Sequence, residues 1–340
     1  MTQQVPTGPI SELVEIVLPL LADNLPAALA WQTIAITLLL ASGIFFLRRG
    51  RGAKNAEGRM QEMPFLQFLL PKDVYTHESA RVDIWLWILE RLLRPLWIGL
   101  LLVSVGPFIE SGLMSLLQTS FGSSPELAPH YAWMLLYSLI VLLFYDAFFY
   151  AIHYTMHKVP AFWAIHKVHH SAEVLTPLTR TREHFIAGPI WAAGAALGFA
   201  IPGAFFAYLF DGQLNQATLL GMGLFAFLFG LTGNFRHYHI ALHYPNWLCM
   251  WLQSPAMHHT HHSYLDKHRD TNLAAVTSVF DRMFGTFYIP EKDEYTPWGL
   301  GPETQDECRS FQQNVAAPFK EWAALAKRSP RPFPKDKPDA

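Results

Sequence analysis

The chain is poor in charge. Asp, Glu, Lys and Arg make up 15% of its 340 residues, against the roughly 25% usual in soluble domains. The shortage is uneven: residues 1–47, 95–157 and 183–235 contain no Lys or Arg, and all 25 basic residues fall within 48–94, 158–182 and 236–337. The net charge of −2 leaves no basic surplus to neutralise phosphates, which excludes nucleic acid as a partner. Cysteine is scarce too. Cys249 and Cys308 form no CxxC pair and are expected to be reduced and structural, and no nucleotide-binding glycine motif occurs. A fused electron-carrier domain is therefore not visible. The first residues lack a basic n-region and a cleavage site, so no signal peptide is read. No internal repeat is found, and the first 76 residues contain no histidine.

Long apolar runs replace the missing charge. "AALAWQTIAITLLLASGIFFL" (27–47) is uncharged for 21 residues, enough to cross an apolar layer about 30 Å thick at about 1.5 Å per residue. Further candidate spans cover roughly 95–118, 131–151 and 185–210, with a shorter fifth at 217–233. The expected fold is an all-α polytopic membrane bundle of about four to five spans. Five sequential crossings put the three basic blocks on one side, which the positive-inside rule makes cytoplasmic, leaving the N-terminus outside and the C-terminus inside. The expected domains are 1–47 (an interfacial segment, "SELVEIVLPLL", and the first span), 48–94 (cytoplasmic linker and amphipathic segment), 95–290 (membrane domain) and 291–340 (cytoplasmic tail).

Fourteen of the sixteen histidines lie between His153 and His268, and this topology brings their clusters to the cytoplasmic face. Residues i, i+3 and i+4 of a helix share a face, about 5–6 Å apart. "HYTMH" gives His153 and His157 at i and i+4, "HKVHH" gives His166, His169 and His170, and "HHTHH" gives His258, His261 and His262. Eight imidazoles exceed the needs of one tetrahedral ion and suit two metals side by side, in a helical His-rich cap. A lone histidine is more often a surface or satisfied core residue, the reading given to His77 and His130, with His243, His259 and His268 beside them.

The order H-x3-H, H-x2-H-H, H-x2-H-H between membrane spans resembles the fatty acid hydroxylase/sterol desaturase superfamily of integral-membrane di-iron oxygenases. The likeness covers roughly residues 80–290 and extends to "HKVHHSAEVLTPLT", "RHYHIAL", "SPAMHHTHHS" and "FDRMFGTFY". Carried over, it implies metal ligands at His153, His157, His166, His169, His170, His258, His261 and His262, with His237 or the nearby His239 after the last span. It also implies His184 in "REHF", where Phe185 stands in place of the family's proline. Asp270 and Asn272 in "DTNLAA" take a supporting place around the ligands, although the family's following aromatic and glycine are absent.

The resemblance implies two iron ions, which zinc could replace on overexpression, and O2-dependent hydroxylation or desaturation of a lipid C–H bond. Sterols, fatty acyl chains and polar lipids are the substrate classes. Electrons would come from a separate ferredoxin-like or haem-containing donor with its reductase. Arg236, Lys267, Arg269 and Arg282 are expected to form a basic cytoplasmic face suited to an acidic donor. The protein is expected in a bacterial inner membrane, or the endoplasmic reticulum membrane of a eukaryote. A membrane haem protein would place single histidines on facing spans rather than doublets outside them. A divalent-metal transporter would need polar groups near the midplane, where the spans offer chiefly Glu110 and Asp146.

Overall fold

The computed structural model describes residues 31–47, 51–54, 60–95, 105–214, 233–292 and 294–327. Apart from a two-stranded antiparallel ribbon, Arg51–Lys54 with Met60–Glu62, the described residues are helix, turn and loop. The main helices are α1 (Trp31–Leu47), α2 (Glu78–Leu93), α3 (Gly106–Phe121), α4 (Tyr131–Lys158), α5 (Pro160–His170), α6 (Ala187–Phe210), α7 (Pro255–His261), α8 (Val279–Phe284) and α9 (Phe311–Lys327).

Two of them, α4 and α6, are long and apolar enough to cross a membrane, matching the runs at 131–151 and 185–210. Within α1, Ile34–Leu47 is apolar but shorter. The run at 95–118 is described from residue 105 onward, as α3. The run at 217–233 lies, except for Gly233, outside the described residues, as does the segment at 11–21.

The scaffold of the site is the α4–α6 pair. No Pro or Gly interrupts 131–158, so α4 runs unbroken past the end of its apolar stretch. Its N-cap is His130, whose Nδ1 accepts from the Ala132 amide at 3.2 Å. On α6, a Cβ at Gly198 would stand 2.8 Å from the Tyr145 Cα, and one at Gly194 would stand 2.3 Å from Ile152 Cδ1. These two glycines, one turn apart, let the helices approach closely, as small residues do between membrane helices. Tyr137, Val141 and Leu142 pack there with Phe206, Phe210 and Leu214, and Phe149 stacks on Trp191 with centroids 4.7 Å apart.

Asp146, fully buried in α4, ties the chain after the last histidine cluster back to this pair. Its Oδ1 accepts from the Ala275 and Val276 amides at 2.6 and 3.0 Å, and its Oδ2 accepts from the Thr277 amide at 2.8 Å and its hydroxyl at 2.5 Å. The charge that looked like a polar interruption of a span is thus a structural anchor.

Candidate metal centre

Proline punctuation folds the histidine helices onto one another. Val159 precedes Pro160 and is forced extended (φ −101°, ψ 116°), which ends α4, while Pro160 opens α5 at a position that needs no N–H. The reversal brings His166, His169 and His170 back beside His153 and His157. α7 begins the same way, with Ser254 as N-cap, its Oγ accepting from the Met257 amide at 3.3 Å, and Pro255 following.

Nine imidazoles gather into two sets, each with its ligand atoms within 4.8 Å of one another. The first holds His153, His157, His166, His170 and His261; the second holds His169, His237, His258 and His262. The two H-x2-H-H motifs divide reciprocally. α5 gives its i and i+4 imidazoles to the first set and its i+3 to the second, whereas α7 gives i+3 to the first and i and i+4 to the second. Each helix therefore serves both sets. His237 joins the second set from a 3-10 turn, Phe235–His237.

In the first set, Nε2 of His153 and of His166 stand 2.9 Å apart, and the Nε2 atoms of His157, His170 and His261 are buried with no hydrogen-bond partner. In the second, His237 Nε2 lies 3.2, 3.0 and 3.1 Å from the Nε2 atoms of His169, His258 and His262. Two metal-ligand bonds of about 2.0–2.1 Å, at about a right angle or wider, put their nitrogens about 3 Å apart. Lone pairs converging without a donor for each are what a cation satisfies. The donor set fits iron, copper, zinc or nickel.

Electrostatics agree with ligation. Burial, reinforced by neighbouring imidazoles, holds His166, His170, His237, His258, His261 and His262 well below the ordinary histidine range. Burial likewise pushes His169 down to about 3. Neutral imidazoles are the form that binds metal.

The outer nitrogens show what aims the rings. His153 Nδ1 donates to the Leu273 carbonyl at 2.6 Å, His261 Nδ1 to the Thr271 carbonyl at 2.8 Å, and His157 Nδ1 to Asp270 Oδ1 at 3.1 Å. One short loop thus orients three of the five rings in the first set. Asp270 and Asn272 adopt left-handed backbone, φ +58° and +55°, a conformation that Asp and Asn tolerate better than most residues. The bond to His157, with that to Lys158, holds the Asp270 carboxyl down to about 2. Asn272 hydrogen-bonds backbone rather than a clustered ring. Its Nδ2 donates to the Met257 and Tyr288 carbonyls at 3.1 and 2.8 Å, pinning α7 to the 286–288 segment. In the second set, His169 Nδ1 donates to the Arg182 carbonyl at 3.2 Å. The Arg182 guanidinium is itself buried against Asp83 at 2.8 Å.

His184 and His239 stand apart from both sets. His184 Nδ1 accepts from the Ile186 amide at 3.4 Å and its Nε2 donates to the Val315 carbonyl at 3.3 Å, so both nitrogens are occupied. The 3-10 turn ends at His237, and the extended backbone at Tyr238 carries His239 away to donate to the Phe68 carbonyl at 2.8 Å. His77 caps α2 by accepting from the Ser79 amide at 3.1 Å. His259 donates to the Phe235 carbonyl at 3.0 Å, and His268 faces Glu294 at 2.9 Å. One expectation is corrected outright. Arg236 is buried, at 8% exposure, and lines an internal cavity, so it is no part of a basic surface.

The structure adds Glu183, which the sequence reading passed over. Its carboxylate lies 3.6 Å from His169 Nδ1 and 3.9 Å from His166 Nδ1, facing one ring of each set, and burial pushes it up to about 8. Its place beside His184 in "TREHF" was the available signal.

Two cavities meet the centre from different sides. One, of about 290 Å³, is walled by Tyr145, Phe149 and Ile152 of α4 and by Trp191 of α6, and reaches His153, His166, His169, His237 and His258. The other, of about 440 Å³, reaches His157, His170 and His261 and is lined by polar groups that include Lys167, Asp270, Glu307 and Glu321.

Residues 138–286, which contain all nine clustered histidines, match the family described as Fatty acid hydroxylase. Over that stretch the chain is similar to the fatty acid hydroxylase/sterol desaturase superfamily. It is also similar to alkylglycerol monooxygenases. The Xenopus tropicalis protein is 29% identical over 150 residues, 44% of this chain and 30% of that protein. The Caenorhabditis elegans protein is 24% identical over 173 residues, 48% of this chain and 29% of that protein. The Danio rerio protein is 26% identical over 230 residues, 59% of this chain and 48% of that protein. The chain therefore spans between 29% and 48% of these relatives. No solved structure matches.

Proposed function

We propose that the chain is a membrane di-iron oxygenase that hydroxylates a C–H bond of a lipid. The observation that carries this reading is the pair of adjoining imidazole sets opening onto an apolar, aromatic-walled cavity. His153, His157, His166, His170 and His261 would hold one ion, and His169, His237, His258 and His262 the other. When bound, the iron pair supplies the redox chemistry that no side chain provides, activating O2 for attack on an unactivated C–H bond. R–H, O2, two electrons and two protons give R–OH and water. Loss of a second hydrogen would give an alkene instead, and the ligand set is common to both outcomes.

The chain's own residues would do the rest. The Leu273 and Thr271 carbonyls and the Asp270 carboxylate fix ring orientation in the first set. Phe149, Ile152 and Trp191 exclude water and hold the hydrocarbon. The polar cavity beside His157, His170 and His261 supports delivery of electrons from a separate ferredoxin-like or haem-containing donor. The centre and C-terminus would be cytoplasmic and the N-terminus outside, following the partition of basic residues. The relatives' activity as alkylglycerol monooxygenases supports ether lipids as a further substrate class, beside sterols and acyl chains.

Comparative lipid mass spectrometry of cells with and without the gene, grown under isotopically labelled O2, tests the reading. A lipid heavier by one labelled oxygen is expected. Loss of two hydrogens would mean desaturation, and no lipid change under iron-replete conditions would overturn the proposal.

A further inference from the structure

The apolar cavity carries two groups that a hydrocarbon slot does not call for. Arg180 and Arg236 stand on its wall together with His237 and His258. Arg236 is more than nine-tenths buried, at 8% exposure, and donates no hydrogen bond to the described residues. Asp146 attracts it through space, yet the Asp146 carboxylate is already occupied by the 275–277 amides and the Thr277 hydroxyl. Arg180 lies beside Tyr145 on the same wall, with its Nη1 2.9 Å from where a Cβ at Gly233 would stand. The Glu183 carboxylate on the same wall is turned to His166 and His169.

A guanidinium stays charged when buried and offers five donors in a planar fork that matches carboxylate or phosphate oxygens. Burying it is unfavourable unless an acceptor is supplied, and the space in front of Arg236 is where a substrate would lie. We propose that this end of the cavity is the headgroup site for an anionic amphiphile. Its carboxylate or phosphate oxygens pair with Arg236 and Arg180, while its chain runs past Phe149 and Trp191 between α4 and α6. Because the arginines border His237 and His258, the C–H bond attacked lies near the headgroup end of that chain. The inference rests on reading this cavity as the lipid slot and narrows the substrate to one charge class.

Binding without turnover tests it. The full-length protein, as purified and held without oxygen in neutral detergent, is titrated with three amphiphiles of equal chain length: a fatty carboxylate, a lysophosphatidate and a neutral 1-O-alkylglycerol. At least one anionic probe should bind about tenfold or more tightly than the neutral one. Whether carboxylate or phosphate binds better identifies the headgroup. Arg236→Gln and Arg180→Gln should each remove most of the preference while changing neutral-probe affinity by no more than about twofold, and Arg236→Lys should retain part of it. Equal affinity for charged and neutral probes in the unmodified protein overturns the proposal without recourse to a variant. So does a preference that survives the double Arg→Gln change. Since binding is read without oxygen, failure to detect a hydroxylated lipid would count against the oxygenase reading alone.

Discussion

The two imidazole sets share helices but differ in how they are held. In the first, three of five rings are aimed by hydrogen bonds from one loop, through the Leu273 and Thr271 carbonyls and Asp270. In the second, the Nδ1 atoms of His237, His258 and His262 are buried with no hydrogen-bond partner, and only His169 is anchored, by the Arg182 carbonyl. One set is oriented by polar contacts, the other mainly by packing. An outer hydrogen bond fixes ring angle and raises ligand basicity. The second set, lacking most of these bonds, is the one that adjoins Arg236 in the apolar cavity. A tight, rigid first ion and a second ion whose surroundings adapt to substrate are therefore expected.

The largest expected effect removes ligands from either side. His170→Ala or His261→Ala in the first set, and His169→Ala or His262→Ala in the second, should each lower product formation by more than about 100-fold, beyond the 10–100-fold typical of outer-shell changes. Membrane insertion should persist, because the spans are set by apolar residues elsewhere. Product, expression and metal content must be measured together. His237→Ala should be more damaging than His184→Ala or His239→Ala, since only His237 lies within a set.

Next comes the anchor beneath the loop. Asp146→Ala leaves buried 275–277 amides without acceptors, at a cost of about 3 kcal/mol or more. The loss should appear as faster proteolysis and lower folded yield. Unchanged stability would mean that the loop is held by other contacts.

A smaller change sharpens the comparison itself. Asp270→Asn should weaken one ion by about 10–100-fold and spare the other, visible as a shift in one phase only of a two-phase release to a chelator. Equal shifts in both phases would erase the distinction between the sets. The smallest effects belong to the helix caps. His77→Ala and His130→Ala should each cost about 1 kcal/mol of stability with metal content unchanged, measured by thermal denaturation.

Local spacing made much of the site legible in the sequence. His153 and His157, and the two H-x2-H-H motifs, pointed to shared helix faces because helical period is a property of a few consecutive residues. Their division between two sets was not legible, because it depends on how α5 and α7 cross. Arg236 read as a surface charge for the same reason: only the tertiary fold reveals that it faces a cavity. Hydropathy located α4 and α6, but it ended α4 near residue 151, where the apolar run stops, although the helix continues to Lys158. His184 and His239 show the converse limit. The resemblance implied both as ligands, yet backbone carbonyls at Val315 and Phe68, distant in the chain, each take up one of their ring nitrogens.

On this reading the nine imidazoles serve two ions, one per set. Metal analysis of the iron-supplemented, purified protein, unmodified and with His261→Ala, tests this most directly. About two irons per chain are expected in the unmodified protein, because the clustered imidazoles exceed what one ion binds, and about one in the folded variant. A single ion in the unmodified, folded protein, or an unchanged pair in the variant, would contradict it.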